Sequence, residues 1–479
     1  MAELPGDFVL VARRTEADGS LEQLLVTSVV GARPYFVLDA PGGPWHGEDV
    51  FQLVADAGIM WEWNLDALRG VAWLGHTIGD QALHPKVKRI PSDSILLYRG
   101  GAWLRETQTF WSTVFDGPKI GIEEAVDVFN AVTDELVTEA PLVSLSAGFD
   151  SRALLARMLA SGRRPETITM GFPESTDMLV AKDITTAEHL HHFAVQLRPE
   201  QYLASGLRIA QLTGGTKTAG NWHTYLYPKD QNPGQIHLVG SNGEFARSFY
   251  LDRGALSHVA RAGRMATGRA YWAARIGRRS RRLATFLPFL SPGGSKDAIS
   301  YSQKVASLGA QGGGDGMQVL DRFYTAQRVR HFIGNGLALY AQHGRPVSPF
   351  LDARWIKAVG HLDRTAKLGS NYHRRIIERN APQLLVYPVG GQRSMQAQAR
   401  PGYWREKPNS VSYSAMPAVL RSTACMEILH ESLHLDSFLS PPERQRLCDM
   451  GSSEAKEYML TLHFAGEAVS QAAADSGYR

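Results

Sequence analysis

The chain has 479 residues, 44% hydrophobic and 20% charged, which is ordinary globular make-up and excludes a disordered, collagen-like or coiled-coil chain. Lys and Arg (51) nearly balance Asp and Glu (47) for a net +4, so charge gives no reason to expect nucleic acid. Cys425 and Cys448 are the only cysteines, too few for a disulfide framework or a Cys-based zinc site, and no run of about 18 apolar residues suggests a membrane span. The N-terminus lacks the order of a signal peptide. The expectation is a soluble cytoplasmic protein of about two to four domains.

The first 115 residues read as β-rich. Short apolar runs at 8–12, 24–30, 35–38 and 94–98 lie between Gly, Pro, Asp and Asn, the punctuation of strands and turns. Residues 116–121 (DGPKIG) look like a junction. The period then changes. Ile122, Val126, Phe129, Val132 and Leu136 recur every three or four residues, one face of a helix. Strands are expected at 142–146, 167–170, 193–197 and 236–239, with helices at 151–159 and 177–190. That alternation predicts a parallel sheet covered by helices, an α/β fold. From about Tyr250 the chain reads as mostly helical, with a frayed end from about Ser470.

The sharpest string is Ser144-Leu145-Ser146-Ala147-Gly148-Phe149-Asp150-Ser151-Arg152. It lies between an apolar strand and a helix. Such a turn presents backbone N–H groups and a helix N-terminus to an anion. Ser146 and Ser151 add hydroxyls, and Gly148 permits close approach. Asp150 beside a phosphate makes sense if Mg²⁺ bridges them. The plain alternative is a capped strand–helix turn, since Ser and Asp are good N-caps.

This string resembles the pyrophosphate loop Ser-Gly-Gly-x-Asp-Ser of the N-type ATP pyrophosphatases, and among them the asparagine synthetase family, with Ala147 for the first Gly of the pair and Arg152 where a small residue is common. More of the chain fits, in order. Thr169-Met170-Gly171-Phe172, followed by Asp177 and Ala181, is similar to the strand and helix that hold the adenosine end of ATP. His191 and His192 stand where histidine usually enters the next strand. Gly240-Ser241-Asn242-Gly243-Glu244 resembles the second acidic loop, with Glu244 at the place of a metal-binding Asp. Residues 345–352 (RPVSPFLD) resemble the Arg-x-Pro-Phe-Leu-Asp motif with a longer spacing. The resemblance spans roughly residues 120–395. It implies ATP and Mg²⁺ as cofactors and adenylation of a carboxylate with loss of pyrophosphate. An amine then attacks to form an amide. Asp150 and Glu244 would hold the metal. Ser144, Ser146, Gly148, Ser151, Met170, Gly171 and Gly240 would line the nucleotide site.

Two departures matter. The Glu that follows the first Gly of the family's second loop is here Ser241 or Asn242, which argues against plain asparagine synthesis. The late cation that steadies the adenylation transition state has Arg393, within 387–393 (YPVGGQR), as its candidate, a fixed charge with a geometry unlike that of Lys. Residues 1–115 resemble the family's N-terminal-nucleophile glutaminase. That chemistry needs Cys at the mature N-terminus, and this chain begins Met1-Ala2-Glu3. Glutamine hydrolysis is not expected.

The resemblance therefore implies two units. Residues 1–115 are expected to be a degenerate Ntn-hydrolase-like β-rich domain. Residues 120–479 are expected to be an adenine nucleotide alpha-hydrolase-like parallel sheet with helical elaborations. The substrates would be a small-molecule or peptide carboxylate and an amine, with no membrane partner. β-Lactam synthetases and lasso-peptide cyclases share this layout, so a peptide cyclase is one alternative and a catalytically dead scaffold another. Residues 253–282 hold nine Arg and no acid. They are either a solvated helical face or a dock for an acidic partner. Residues 214–218 (GGTKT) read as a plain turn, with a substrate loop in the cleft, Trp222 and His223 nearby, as the alternative. His189, His191 and His192 read as a helix end and strand start, and the two cysteines as core thiols.

Overall fold

The computed structural model describes residues 4–15, 21–107, 109–226, 234–250, 269–310, 315–390, 412 and 414–477. Its architecture is mixed α/β, with one parallel sheet and two antiparallel sheets. The expected strands form, with boundaries shifted by one to three residues. β1 (Val9–Thr15), β2 (Leu21–Thr27), β6 (Ser94–Arg99) and β7 (Ala102–Thr107) make a four-stranded antiparallel sheet in the order β1-β2-β6-β7. β3 (Phe36–Leu38), β4 (His46–Gly47) and β5 (Val87–Arg89) make a smaller one.

The β-rich reading of this region missed two helices, Val50–Asp56 and Leu65–Leu74. Both are short, and both are fixed by local chemistry. Asp49 caps the first by accepting from the Phe51 and Gln52 amides, and Asn64 caps the second from Ala67, each satisfying N–H groups that a helix start leaves bare. Gly75, at φ 85°, ends the second in the left-handed region that glycine adopts without strain. Their buried faces carry Phe51 and Trp73. The first packs on the long helix Ser453–Asp475 and the second on helix Arg269–Ala284. The chain end is thus helical to Asp475, with Ala472 buried. The frayed end expected from Ser470 is corrected by that packing.

The parallel sheet comprises β8 (Leu142–Ser144), β9 (Glu166–Gly171), β10 (His192–Gln196), β11 (Ile236–Leu238) and β12 (Arg345–Val347). Its order is β10-β9-β8-β11-β12, every neighbour parallel. From β8 the chain steps outward to β9 and β10, then returns to β11 on the other side of β8. Such a reversal opens a crevice beyond the carboxyl ends of the two central strands, where ligands of open α/β sheets bind. β8 and β11 are short apolar runs, buried as central parallel strands must be. The sequence did not signal β12, because Arg345 is exposed and Pro346 cannot donate to a ladder. Proline is tolerated at a sheet edge, which is where β12 lies.

One hydrophobic cluster runs from Val29 to Ala472, so the two expected units meet without a solvent gap. Val143, Leu145, Ala147 and Phe149 root the β8 loop in it. Cys425 and Cys448 are buried free thiols, as expected. No described helix is long and apolar enough to cross a membrane.

Candidate functional site

The loop after β8 is held by its own polar atoms. Ser146 N–H donates to Ser151 Oγ at 3.1 Å, Gly148 N–H to Ser146 Oγ at 3.1 Å, and the two serine hydroxyls lie 3.0 Å apart. Ala147 N–H donates to Asp177 Oδ1 at 2.8 Å. Helix Phe149–Ala160 starts directly from this loop, and no side chain caps it. An uncapped helix start with two hydroxyls beside it suits an anion. Arg152 is fully buried and staples the loop from behind. It donates to Ala147 O at 3.1 Å, to Tyr387 O at 3.0 Å and to Pro388 O. The arginine that departs from the family pattern therefore has a structural task.

The second loop leaves β11 and crosses Asp150. A Cβ at Gly240 would lie 2.9 Å from Asp150 Cβ, and one at Gly243 would strike the Asp150 carboxylate. Only glycine allows this approach. Asn242 sits at φ 74° and is buried, its amide donating to Phe350 O at 2.6 Å and accepting from Thr325 Oγ1 at 3.2 Å. It shapes the loop, whereas Ser241 lines the cleft. The turn Gly243–Arg247 then presents Glu244 and Arg247.

The two carboxylates meet around Arg247. Its Nη2 lies 3.5 Å from Asp150 Oδ2 and 3.8 Å from Glu244 Oε1. His373 Nε2, fully buried, is 2.8 Å from Asp150 Oδ1, although the pair is poorly aligned for a hydrogen bond. Tyr324 donates to Glu244 Oε2 at 2.9 Å. Burial alone would raise the Asp150 carboxyl, but Arg247 and His373 outweigh it and pull the group below its ordinary value. Glu244 is raised, first by burial and then by the charge of Asp150. The environments thus push the two groups apart, as they do where one site needs unlike acids.

Asp150 and Glu244 face one cleft of about 380 Å³ at the reversal of the parallel sheet. Ser144, Ser146, Asp150, Ser151, Met170, Gly240 and Glu244 all line it. Gly148 sits at the base of the loop, and Gly171 pairs with Gln196 in the β9–β10 ladder, outside the lining. Ser144 Oγ is occupied by His237 Nε2 at 2.9 Å. Arg393 lies outside the described residues, as do residues 253–268 of the arginine-rich segment. Its remainder is helix Arg269–Ala284, where Arg279 and Arg282 both pair with Glu454 and Trp272 is buried. The 214–218 segment is a turn, as expected. Gly214 caps helix Pro199–Thr213 at φ 58°.

Sequence reasoning missed Arg247, His373 and Tyr324. Arg247 was within reach, three residues after Glu244 on the same turn. His373 and Tyr324 come from elements more than 70 residues away in sequence and carried no local signal.

Among the described residues no group of three or more His, Cys, Asp or Glu is placed to hold a metal ion. Two hard oxygen ligands from separate loops do suit Mg²⁺, which usually takes one or two carboxylates together with phosphate oxygens. The donor set fits an ion that arrives with a phosphate, displacing Arg247 from between the acids. No protein-family model matches the chain, and no curated protein matches it.

Proposed function

We propose that the chain is an ATP-dependent carbon–nitrogen ligase of the asparagine synthetase type. It adenylates a carboxylate, releases AMP and pyrophosphate, and joins the acyl group to an amine without hydrolysing glutamine. In this reading residues 120–479 are an N-type ATP pyrophosphatase domain, and residues 1–115 are an Ntn-like unit without its nucleophile. One observation carries the reading. An uncapped helix start with paired serines carries Asp150 in its first turn and faces Glu244 from a second loop, across a cleft at the reversal of a parallel sheet.

The residues divide the work by chemistry. The loop amides, the helix start and the hydroxyls of Ser146 and Ser151 receive phosphate oxygens. The hydroxyls now bond each other at 3.0 Å and can turn to a better acceptor. Thr169 Oγ1 donates to Leu145 O at 2.7 Å, and Asp177 holds Ala147 N–H, so the loop is set before a ligand arrives. Asp150 and Glu244 would hold Mg²⁺, which supplies charge neutralisation along the phosphates. Neither cysteine can serve a glutaminase, since both are buried beyond position 420. The amine is then free ammonia, a second molecule or part of the same substrate.

Calorimetric titration of the full chain with ATP, with and without Mg²⁺, tests the reading. Binding that needs both Mg²⁺ and Asp150, and is lost in Asp150→Ala, is the expected result. Absence of binding in the wild type, or unchanged binding in Asp150→Ala, sinks it and leaves the scaffold reading.

A further inference from the structure

Beside the acidic loop, Tyr324–Ile333 forms ten residues of π-helix, a geometry that recurs at functional sites. Tyr324 reaches Glu244 from its first turn. Phe249 stacks on Tyr324, with centroids 4.7 Å apart. The Arg328 guanidinium lies between two rings, 5.0 Å from Phe249 and 4.4 Å from Phe332. On Phe332 sits a second cation. Lys217 Nζ is 4.2 Å from its ring and donates to its carbonyl at 2.9 Å. The circuit closes on the cleft, because His223, which feels the Lys217 charge, and Ile333, next to Phe332, both line it.

Buried Lys217 and half-buried Arg328 lack what other cations of the fold have. Lys367 pairs with Asp321 at 3.1 Å, and Arg330 with Asp80 at 3.1 Å. Arg89 and Arg152 each donate through both terminal nitrogens to polar oxygens. Among the described residues, no carboxylate lies within ion-pair distance of Lys217 or Arg328; the buried Nε of Arg328 has no hydrogen-bond partner, a feature it shares with Arg89, Arg152 and Arg330. Lys217 is only 4% exposed and is pushed down to about 7, first by burial and then by Arg328. A buried cation without a counter-charge costs several kcal/mol, and a ring returns only about 0.5–2 kcal/mol. A ligand that brings negative charge would offset the remainder.

We propose that Arg328 and Lys217 form an anion-binding subsite at the end of the candidate cleft. It takes a second negatively charged group of the acid substrate, a carboxylate or a phosphate, remote from the carboxylate to be activated. The planar fork of Arg328 matches either group, and Lys217 adds a point charge behind it. This inference rests on the ligase reading of the cleft.

The test is calorimetry on the full chain with Mg²⁺ and a non-hydrolysable ATP analogue present. Three probes are titrated, namely glutarate, 4-phosphonobutyrate and butyrate. At least one of the two doubly anionic probes should bind about tenfold more tightly than butyrate, the gain of one charge-assisted hydrogen bond. Which of the two does so identifies the second group. Arg328→Gln should erase the preference while leaving nucleotide affinity within about twofold, Lys217→Met should reduce it, and Arg328→Lys should retain part of it. Equal binding of the three probes, or none by any of them, with the nucleotide bound normally, overturns the subsite. So does a preference that survives Arg328→Gln. If Arg328→Gln weakens pyrophosphate binding instead, the cations serve the leaving group and the proposal fails. Failure of the wild type to bind the nucleotide analogue marks the ligase reading itself as wrong. The wild-type ranking of the probes stands even if a variant does not fold.

Discussion

Arg328 and Arg330 are two residues apart on one π-helical stretch, yet they sit in opposite circumstances. Arg330 lies at the seam with the antiparallel sheets. It donates to Gly79 O, Ile90 O and Arg89 O and pairs with Asp80. Beside it, Arg89 reaches Ala32 O, Arg330 O and Asn335 Oδ1. Arg328, at the cleft, has two aromatic rings and a cationic neighbour. A cation that donates to several oxygens fastens two parts of the fold. A cation left with rings points to a charge that the fold does not supply.

Breaking the seam should have the largest effect. Arg330→Met leaves several buried acceptors and Asp80 without their donor, and should lower the unfolding free energy in urea by about 3–5 kcal/mol. A loss below about 1 kcal/mol would show that the seam is held by apolar packing alone.

Lys217 should show itself next, in the pH dependence of stability. Its folded value is depressed from 10.5 to about 7. Between those values the unfolded chain binds more protons, so stability should rise with pH from about 7 to about 10.5. The slope is at most about 1.4 kcal/mol per pH unit. Urea unfolding of the wild type and Lys217→Met across that range isolates it, since the variant should lack the rise. Parallel curves would contradict a buried, uncompensated lysine.

Arg328→Met should behave unlike Arg330→Met, leaving stability within about 1 kcal/mol or raising it, because Arg328 is only half-buried and its repulsion of Lys217 is relieved. A loss as large as at the seam would erase the distinction between the two arginines. The smallest effect is expected at the half-exposed ion pairs of the arginine-rich helix. Glu454→Gln removes the partner of Arg279 and Arg282 and should cost less than about 1 kcal/mol in a thermal melt.

The parts of the candidate site that were legible in sequence are contiguous strings at strand–helix junctions. Residues 144–152 and 240–244 could be read because a phosphate-type turn needs Ser, Gly and Asp at neighbouring positions, and neighbours in sequence stay neighbours in space. Arg152 was visible only as an anomaly. Its task depends on the carbonyls of Tyr387 and Pro388, more than 230 residues away. Lys217, in a glycine-rich turn that gave no sign of its burial, lies buried against Phe332. The strands at 142, 167, 193 and 236 followed from apolar runs, but β12 did not, because an edge strand needs no apolar alternation and admits proline.

By itself the sequence determined the alternation of strand and helix, the polar turn after β8, the glycines that let the second loop approach Asp150, and the absence of any cysteine before position 425. These are properties of short segments, set by local sterics and side-chain chemistry. The tertiary structure alone decided which charges meet. It placed Arg247 between Asp150 and Glu244, brought His373 to Asp150 and Tyr324 to Glu244, and left Arg328 and Lys217 without an acid among the described residues. Electrostatic energy depends on distance and burial, and neither exists until distant segments pack.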